Sequence, residues 1–236
     1  KGINIDPTYG MIYNIIGLLF YKHKTAGNIK KAENLYKKAI SLDETIPEAH
    51  NNLGNLYDYL DKIKDDIYCY KRAIDINPKF SYAHHNLGSA YVAIGKFSKA
   101  KKHFRESIKL NPSFTVTHRM LSRITKYTDN DEHFIELKKI YENVDINDSE
   151  KRIELGFALG KAYEDTKNFD QSFTHYKEAN LLQRKKIDFS LKLEEEKFKE
   201  IKNIYNKKLF DKYKSSGCPD YSPIFIIGMP RSSTTL

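Results

Sequence analysis

The sequence predicts an all-α chain: a superhelical solenoid of helix pairs, followed by the first strand and phosphate-binding loop of a truncated α/β domain. Three observations predict this. A set of helix-forming positions recurs every 34 residues through much of the chain. An Asn-Pro step, which stops a helix, closes two consecutive units. The last fourteen residues then change character, to a short β-prone apolar run followed by glycine and hydroxyl side chains.

The period is carried by several independent matches. Ala49-His50-Asn51-Asn52-Leu53-Gly54 returns as Ala83-His84-His85-Asn86-Leu87-Gly88, 34 residues on. At the same offset Tyr57 falls on Tyr91, Tyr70 on Phe104, Ile74 on Ile108 and Asn77-Pro78 on Asn111-Pro112. One step back, Tyr36, Ala39 and Ile40 precede Tyr70, Ala73 and Ile74 by 34 residues. Leu53, Gly54 and Tyr57 share one helix face, and so do Asp66, Tyr70 and Ala73. Gly54 and Gly88 let a neighbouring helix approach where a larger side chain would block it. Each unit therefore reads as an antiparallel helix pair whose apolar face needs a neighbour to cover it.

This pattern resembles the tetratricopeptide repeat: Leu-Gly-x-x-Tyr, then a small residue, an aromatic, a small residue and proline. The units fall at about 10–46, 47–80, 81–114, 115–152 and 153–186. The first carries about three extra residues around Lys24–Gly27, expected in its helix–helix loop. The unit at 115–152 is degenerate, with Ser122 at the glycine position and Thr125 at the tyrosine position. The last unit is clear again at Leu159, Gly160, Tyr163, Ser172, Tyr176 and Ala179. Asp6-Pro7 resembles the end of an earlier unit, so repeats are expected upstream of Lys1. From Ile187 to Tyr213, the spacing of Leu193, Ile201, Ile204, Tyr205 and Phe210 predicts one long amphipathic helix packing on the last repeat. The array with this helix spans 1–213, and 214–222 reads as a linker.

Composition narrows the partners. Lys and Arg number 40 against 31 Asp and Glu, a net charge of +9 in 236 residues. The positive charges are scattered among acidic ones with no dense basic block, so nucleic acid is not the expected partner. No apolar run reaches the eighteen residues of a membrane span, so no membrane partner is expected either. Cys69 and Cys218 stand far apart, which excludes a disulfide framework and favours a reducing, cytoplasmic setting.

Stacked helix pairs curve into a solenoid whose concave face is lined by the first helix of each pair. Asn52 and Asn86 hold the same position in consecutive units, and Asn51, Asn55, His85 and Ser89 lie on or near that face. An amide offers a donor and an acceptor together, so such a row can pair with the backbone of an extended peptide. Similar asparagine rows occur in the tetratricopeptide repeats of O-linked N-acetylglucosamine transferase. Two readings follow: a groove for a protein or peptide partner, or a solvated groove of consensus residues. Ile15, Met120 and Ala158 hold the equivalent positions in the other units. Some tetratricopeptide domains clamp a terminal carboxylate with Lys and Arg; the matching positions here hold Asn, Val and Met, and that mode is not expected. His50, His84 and His118 recur at the repeat period, on helices about 10 Å apart or more. They read as core residues, and no metal site is expected.

The end of the chain carries different chemistry. Pro223-Ile224-Phe225-Ile226-Ile227 reads as a buried strand. The residues after it, Gly228-Met229-Pro230-Arg231-Ser232-Ser233-Thr234-Thr235-Leu236, suit a helix N-terminus that binds phosphate. A Walker A loop would need a second glycine and a lysine where Ser233 and Thr234 stand, so an ATPase or GTPase is not expected. The segment resembles the 5′-phosphosulfate-binding loop of sulfotransferases, G-x-P-R-S-G-T-T-L, with Ser233 in place of glycine. That side chain either crowds the phosphate or adds a contact. Residues 157–165 and 178–180 also resemble the final repeat of bacterial proteins that join tetratricopeptide repeats to a sulfotransferase domain. The resemblance implies sulfuryl transfer from 3′-phosphoadenosine 5′-phosphosulfate to a hydroxyl or amine. Arg231 would be catalytic and would also bind the donor, with Ser232, Ser233, Thr234 and Thr235 holding the same phosphate. No metal is implied. The remaining parts of such a site would lie after Leu236, so 223–236 is expected to be the start of an incomplete domain, and the fragment alone is not expected to be active. Two functions stay open: the recruiting arm of a sulfotransferase, or a non-catalytic repeat scaffold that binds peptides.

Overall fold

The computed structural model describes residues 9–187 and 190–212. They are helical throughout, with no strand among the described residues. The first unit of structure holds α1 (Gly10–Lys22), α2 (Ala26–Leu42), α3 (Pro47–Tyr59), α4 (Ile63–Ile76), α5 (Ser81–Ala93), α6 (Phe97–Leu110), α7 (Thr115–Ile124), α8 (Glu132–Asn143), α9 (Ser149–Asp165) and α10 (Phe169–Lys185). A second unit holds α11 (Leu191–Ile204) and α12 (Lys207–Lys212).

Four tight antiparallel pairs form in the first unit: α1 with α2, α3 with α4, α5 with α6, and α9 with α10. The same contact closes each one. The ring of Tyr36, Tyr70, Phe104 or Tyr176 sets its Cδ1 and Cε1 atoms against Gly17, Gly54, Gly88 or Gly160 on the partner helix. A Cβ at these glycines would stand 2.6–2.7 Å from the ring, closer than van der Waals contact permits. This is why a glycine sits at a helix-interior position despite its poor helix propensity.

The pairs turn in the same way. The middle residue of each three-residue turn is left-handed: Lys24 (φ 46°), Asp61 (55°), Gly95 (70°) and Lys167 (61°). In three of them the next N–H, from Lys62, Lys96 or Asn168, donates back to the carbonyl of Tyr57, Tyr91 or Tyr163 at 2.8–2.9 Å, the long-range bond of a Schellman cap. Between pairs, Asn77 and Asn111 end α4 and α6 in non-helical conformations, and Pro78 and Pro112 prevent continuation. First helices of neighbouring pairs pack on one another, α1 with α3 and α3 with α5, more closely than second helices do. The first helices therefore line the inner side of the array.

The first pair corrects one expectation. Its turn, 23–25, is as short as the others. The three additional residues lengthen α2 instead, to 17 residues against 14 in α4 and α6. Thr25 sets this start, because its hydroxyl accepts the N–H of Asn28.

The degenerate unit departs furthest. Helix α7 has only 10 residues and ends at Thr125, which is extended. No glycine–ring clasp joins it to α8, and the two do not pair closely. Helix α7 runs along α9 instead. Its Leu121 belongs to the core of Leu87, Phe104 and Ile108. In α8, Phe134, Leu137 and Tyr141 belong to a separate core with Leu155, Ala158 and Leu159 of α9.

In the second unit, the single helix expected between Ile187 and Tyr213 is two. Helix α11 ends at Ile204, and Asn206 caps α12 by accepting the N–H of Leu209 at 3.2 Å. No residue of α11 is buried. The linker at 214–222 and the strand and loop at 223–236 lie outside the described residues.

Candidate functional site on the inner face

The inner face is built from positions that repeat with the helices. Asn14, Asn51, His85 and Arg119 occupy one row of first-helix positions, and Ile15, Asn52, Asn86 and Met120 the row beside it. A polar seam runs along these rows and ties each helix to the next. Asn52 donates from Nδ2 to Oδ1 of Asn14 at 2.9 Å. Asn86 donates to Oδ1 of both Asn51 and Asn55, each at 2.9 Å. Tyr70 adds its hydroxyl to Asn55 Oδ1, and Tyr21 donates to the Asn55 carbonyl. His85 Nδ1 lies 2.9 Å from the Thr117 hydroxyl, and Ser89 donates to the His85 carbonyl. Burial pulls the His85 pKa down to about 4, so the ring is neutral near pH 7.

All six residues of the expected groove, Asn51, Asn52, Asn55, His85, Asn86 and Ser89, are thus brought together. Their first task is to hydrogen-bond one another and the polar groups of neighbouring helices. Asn51 is buried and spends its acceptor on Asn86. Asn52, Asn55, His85, Asn86 and Ser89 are half-buried. The Asn52 and Asn86 carbonyls and the Asn55 amide keep unspent hydrogen-bonding capacity on that face.

Beyond His85 the row becomes basic and aromatic. Arg119 pairs with Glu154 of α9 at 3.0 Å and stacks its guanidinium over Phe157, 4.4 Å from the ring centre. At the edge of the face, Tyr82 lies against Phe114 with ring centres 4.8 Å apart, and Phe114 also meets His85 at 4.9 Å. Sequence reasoning missed Arg119, Tyr82 and Phe157. Arg119 was within reach, since it stands one period after His85; a search for repeated asparagines passes over a position whose side chain changes.

The periodic histidines serve the core and the loops together. Nε2 of His50, His84 and His118 faces the carbonyl of Glu44, Pro78 and Pro112, at 3.1, 3.1 and 3.0 Å. Each ring thus anchors the loop that precedes its helix. His118 goes further. Its Nδ1 meets His133 Nε2 at 3.0 Å, and His133 Nδ1 meets the Tyr127 hydroxyl at 2.7 Å. The protons run one way: Tyr127 donates to His133, His133 to His118, and His118 to the Pro112 carbonyl. Burial lowers the pKa of His118 and pushes His133 down to about 3, so both rings are neutral. The residues proposed from sequence for phosphosulfate binding, Arg231, Ser232, Ser233, Thr234 and Thr235, lie outside the described residues.

Comparison with known proteins agrees with this geometry. Residues 81–114 match the family described as tetratricopeptide repeat, and residues 25–58 and 62–95 match one described as TPR repeat. These segments are tetratricopeptide repeats. An uncharacterized protein of Aquifex aeolicus (strain VF5) is 32% identical over 85 residues, 36% of this chain; the match spans only 11% of that relative's length. Among solved structures, the MamA protein is similar at TM-score 0.51 and 24% identity, covering 79% of this chain and 99% of its own. The first TPR of Spaghetti (RPAP3), bound to the HSP90 peptide SRMEEVD, is similar at TM-score 0.47 and 24% identity, covering 52% of this chain and 95% of its own. The fold of the first unit is thus similar to that of the MamA protein, and no described helix is long and apolar enough to cross a membrane.

Proposed function

We propose that the array is a scaffold that holds an extended peptide of a protein partner along its inner face. The observation that supports this is the row of half-buried Asn52, Asn55 and Asn86, which join successive first helices and still keep amide groups to offer. The seam holds these groups in place before a ligand arrives, which lowers the ordering cost of binding. Replacing Asn86 by Ala is a poor test, because it strands the buried acceptor of Asn51 and costs stability. Ser89→Arg is better, since it fills the groove and breaks no bond between helices. Peptides selected from a random display library on the wild-type array should bind the Ser89→Arg variant at least tenfold more weakly, with the melting temperature unchanged. Equal affinity would remove the inner face from the reading.

A second reading rests on the sequence Gly228–Leu236. The array would then be the recruiting arm of a sulfotransferase that uses 3′-phosphoadenosine 5′-phosphosulfate, in which Arg231 stabilises charge on the leaving oxygen and Ser232, Ser233, Thr234 and Thr235 hold the 5′-phosphate. In the full-length product, Arg231→Ala should abolish sulfuryl transfer to a hydroxyl or amine acceptor while helical content stays the same. Retained transfer would refute the role of Arg231.

A further inference from the structure

The loss of the clasp in the fourth unit leaves a space on the other side of the array. Between α6, α7 and the start of α8 lies a cavity of about 600 Å³. Ile108 and Leu121 form its apolar floor, Arg105 and Lys109 of α6 one wall, and Glu132 and Glu136 of α8 the other. The His133 ring at its back is held by His118 and Tyr127, so this wall is braced. A second cavity of about 490 Å³ adjoins it across Arg105 and Lys109, and is lined by Ser98, Lys101, Lys102 and one carboxylate, Glu106, so basic side chains outnumber acidic ones there by four to one. Lys102, Arg105 and Lys109 are exposed, Lys101 is half-exposed, and none of the four makes an ion pair among the described residues. Elsewhere basic side chains do find acidic partners, as Arg119 and Arg152 do.

We propose that this wedge is a second docking site, distinct from the inner face, for a linear peptide that carries an acidic run, then an apolar residue, then a basic residue. The order follows from the walls. Lys101 to Lys109 spans eight residues of helix, about 12 Å at 1.5 Å each. Four residues of extended peptide cover that length at about 3.3 Å each; their side chains alternate, so a run of four acidic residues sets two carboxylates directly on the basic row in either register and keeps the other two beside it. The apolar residue then reaches Ile108 and Leu121, and the basic residue meets Glu132 and Glu136. The same acidic wall disfavours a nucleic acid or an anionic membrane, which carry negative charge throughout and have no group to offer it.

The probe is a fluorescein-labelled peptide, Glu-Glu-Asp-Glu-Gly-Leu-Gly-Lys, followed by fluorescence anisotropy on the whole chain. Lys101→Glu with Arg105→Glu should weaken binding at least tenfold, and Glu132→Lys with Glu136→Lys several-fold, with circular dichroism unchanged. A peptide with Ser in place of Leu should bind about tenfold more weakly. Ser89→Arg should leave binding as it was, which separates this site from the inner face. Absence of binding at millimolar peptide, or affinity untouched by the α6 reversal or by the Leu-to-Ser change, overturns the proposal. So does equally tight, equally reversal-sensitive binding of oligo-dT or of phosphatidylserine vesicles, since the surface would then be a general polyanion site.

Discussion

A single hydrogen separates Gly54 from a clash. Its missing Cβ would lie 2.6 Å from the Tyr70 ring, which is held in the core. Gly54→Ala is therefore expected to cost about 1–3 kcal/mol through overpacking. Gly27, in the extended first turn of α2, has nothing within 4 Å, and Gly27→Ala should stabilise by up to about 1 kcal/mol. Paired thermal melts read both signs. Asp66 makes the opposite case. It is fully buried, and neither carboxylate oxygen makes a well-formed hydrogen bond; the Ile67 N–H lies near enough to favour the charged form but offsets burial only in part. Neighbouring units put Ala32 and Ala100 there, also fully buried. Burial, helped by Asp58 and Asp65, pushes the Asp66 carboxyl up to about 6. The folded state thus keeps a proton that the unfolded chain releases near pH 4, so this residue penalises folding above pH 6 and the penalty fades as pH falls toward 4. Asp66→Ala should raise the melting temperature at pH 7, by about 1–3 kcal/mol in stability, with the gain shrinking by pH 4. A fall in melting temperature at pH 7 would mean that the carboxylate has a partner.

At the scale of elements, the clasp was legible and its failure was legible in part. Glycine and aromatic residues recur at fixed offsets because each contact lies within one pair. Ser122 and Thr125 marked the fourth unit as irregular. They could not show that α7 would leave α8 and run along α9. That choice rests on polar groups 35–39 residues apart: Arg119 with Glu154, Lys161 with the Thr125 carbonyl, and Lys126 with the Asp165 carboxylate. Asp165 is the centre of this junction. It also accepts the N–H of Tyr127 and pairs with Lys161. Burial alone would raise its pKa, but these partners outweigh it and hold the carboxyl below its usual value. Asp165→Ala should cost about 1–3 kcal/mol, read as a lower urea midpoint at pH 7. The deficit should narrow below pH 4, where the native carboxylate is itself protonated and its contribution is lost. A deficit that stays constant with pH would point to packing rather than charge.

Across the whole molecule the histidines act together. Burial is the largest cause of a lowered pKa at His50, His85, His103, His118, His133 and His175, with His85 and His103 at about 4 and His133 at about 3. The unfolded chain takes up protons at these side chains near pH 6.5, while burial makes the folded chain resist protonation at all six, down to about pH 4 at His85 and His103 and about pH 3 at His133. Stability should therefore be fully present above pH 6.5 and fall steadily as pH drops toward 4, against the smaller opposite trend of Asp66. Urea midpoints at pH 7, 5.5 and 4.5 measure it, and His133→Leu should flatten the slope. A flat profile in the wild type would show that these rings open to water.

By itself the sequence determined the all-helical solenoid, the repeat period and the row of inner-face asparagines. Each of these depends on spacing within a helix or between successive copies of one unit, and spacing is written in the chain. Only the tertiary structure decided what the polar atoms do. Asn52 finds Asn14 and Asn86 finds Asn51 and Asn55 because stacking brings residues 31–38 positions apart to within 3 Å. It also decided that the three additional residues of the first pair join α2, where Thr25 could cap a longer helix. The outer wedge is the clearest case. Its walls come from α6 and α8, and it exists because the fourth pair, lacking a glycine for a ring to lie on, does not close.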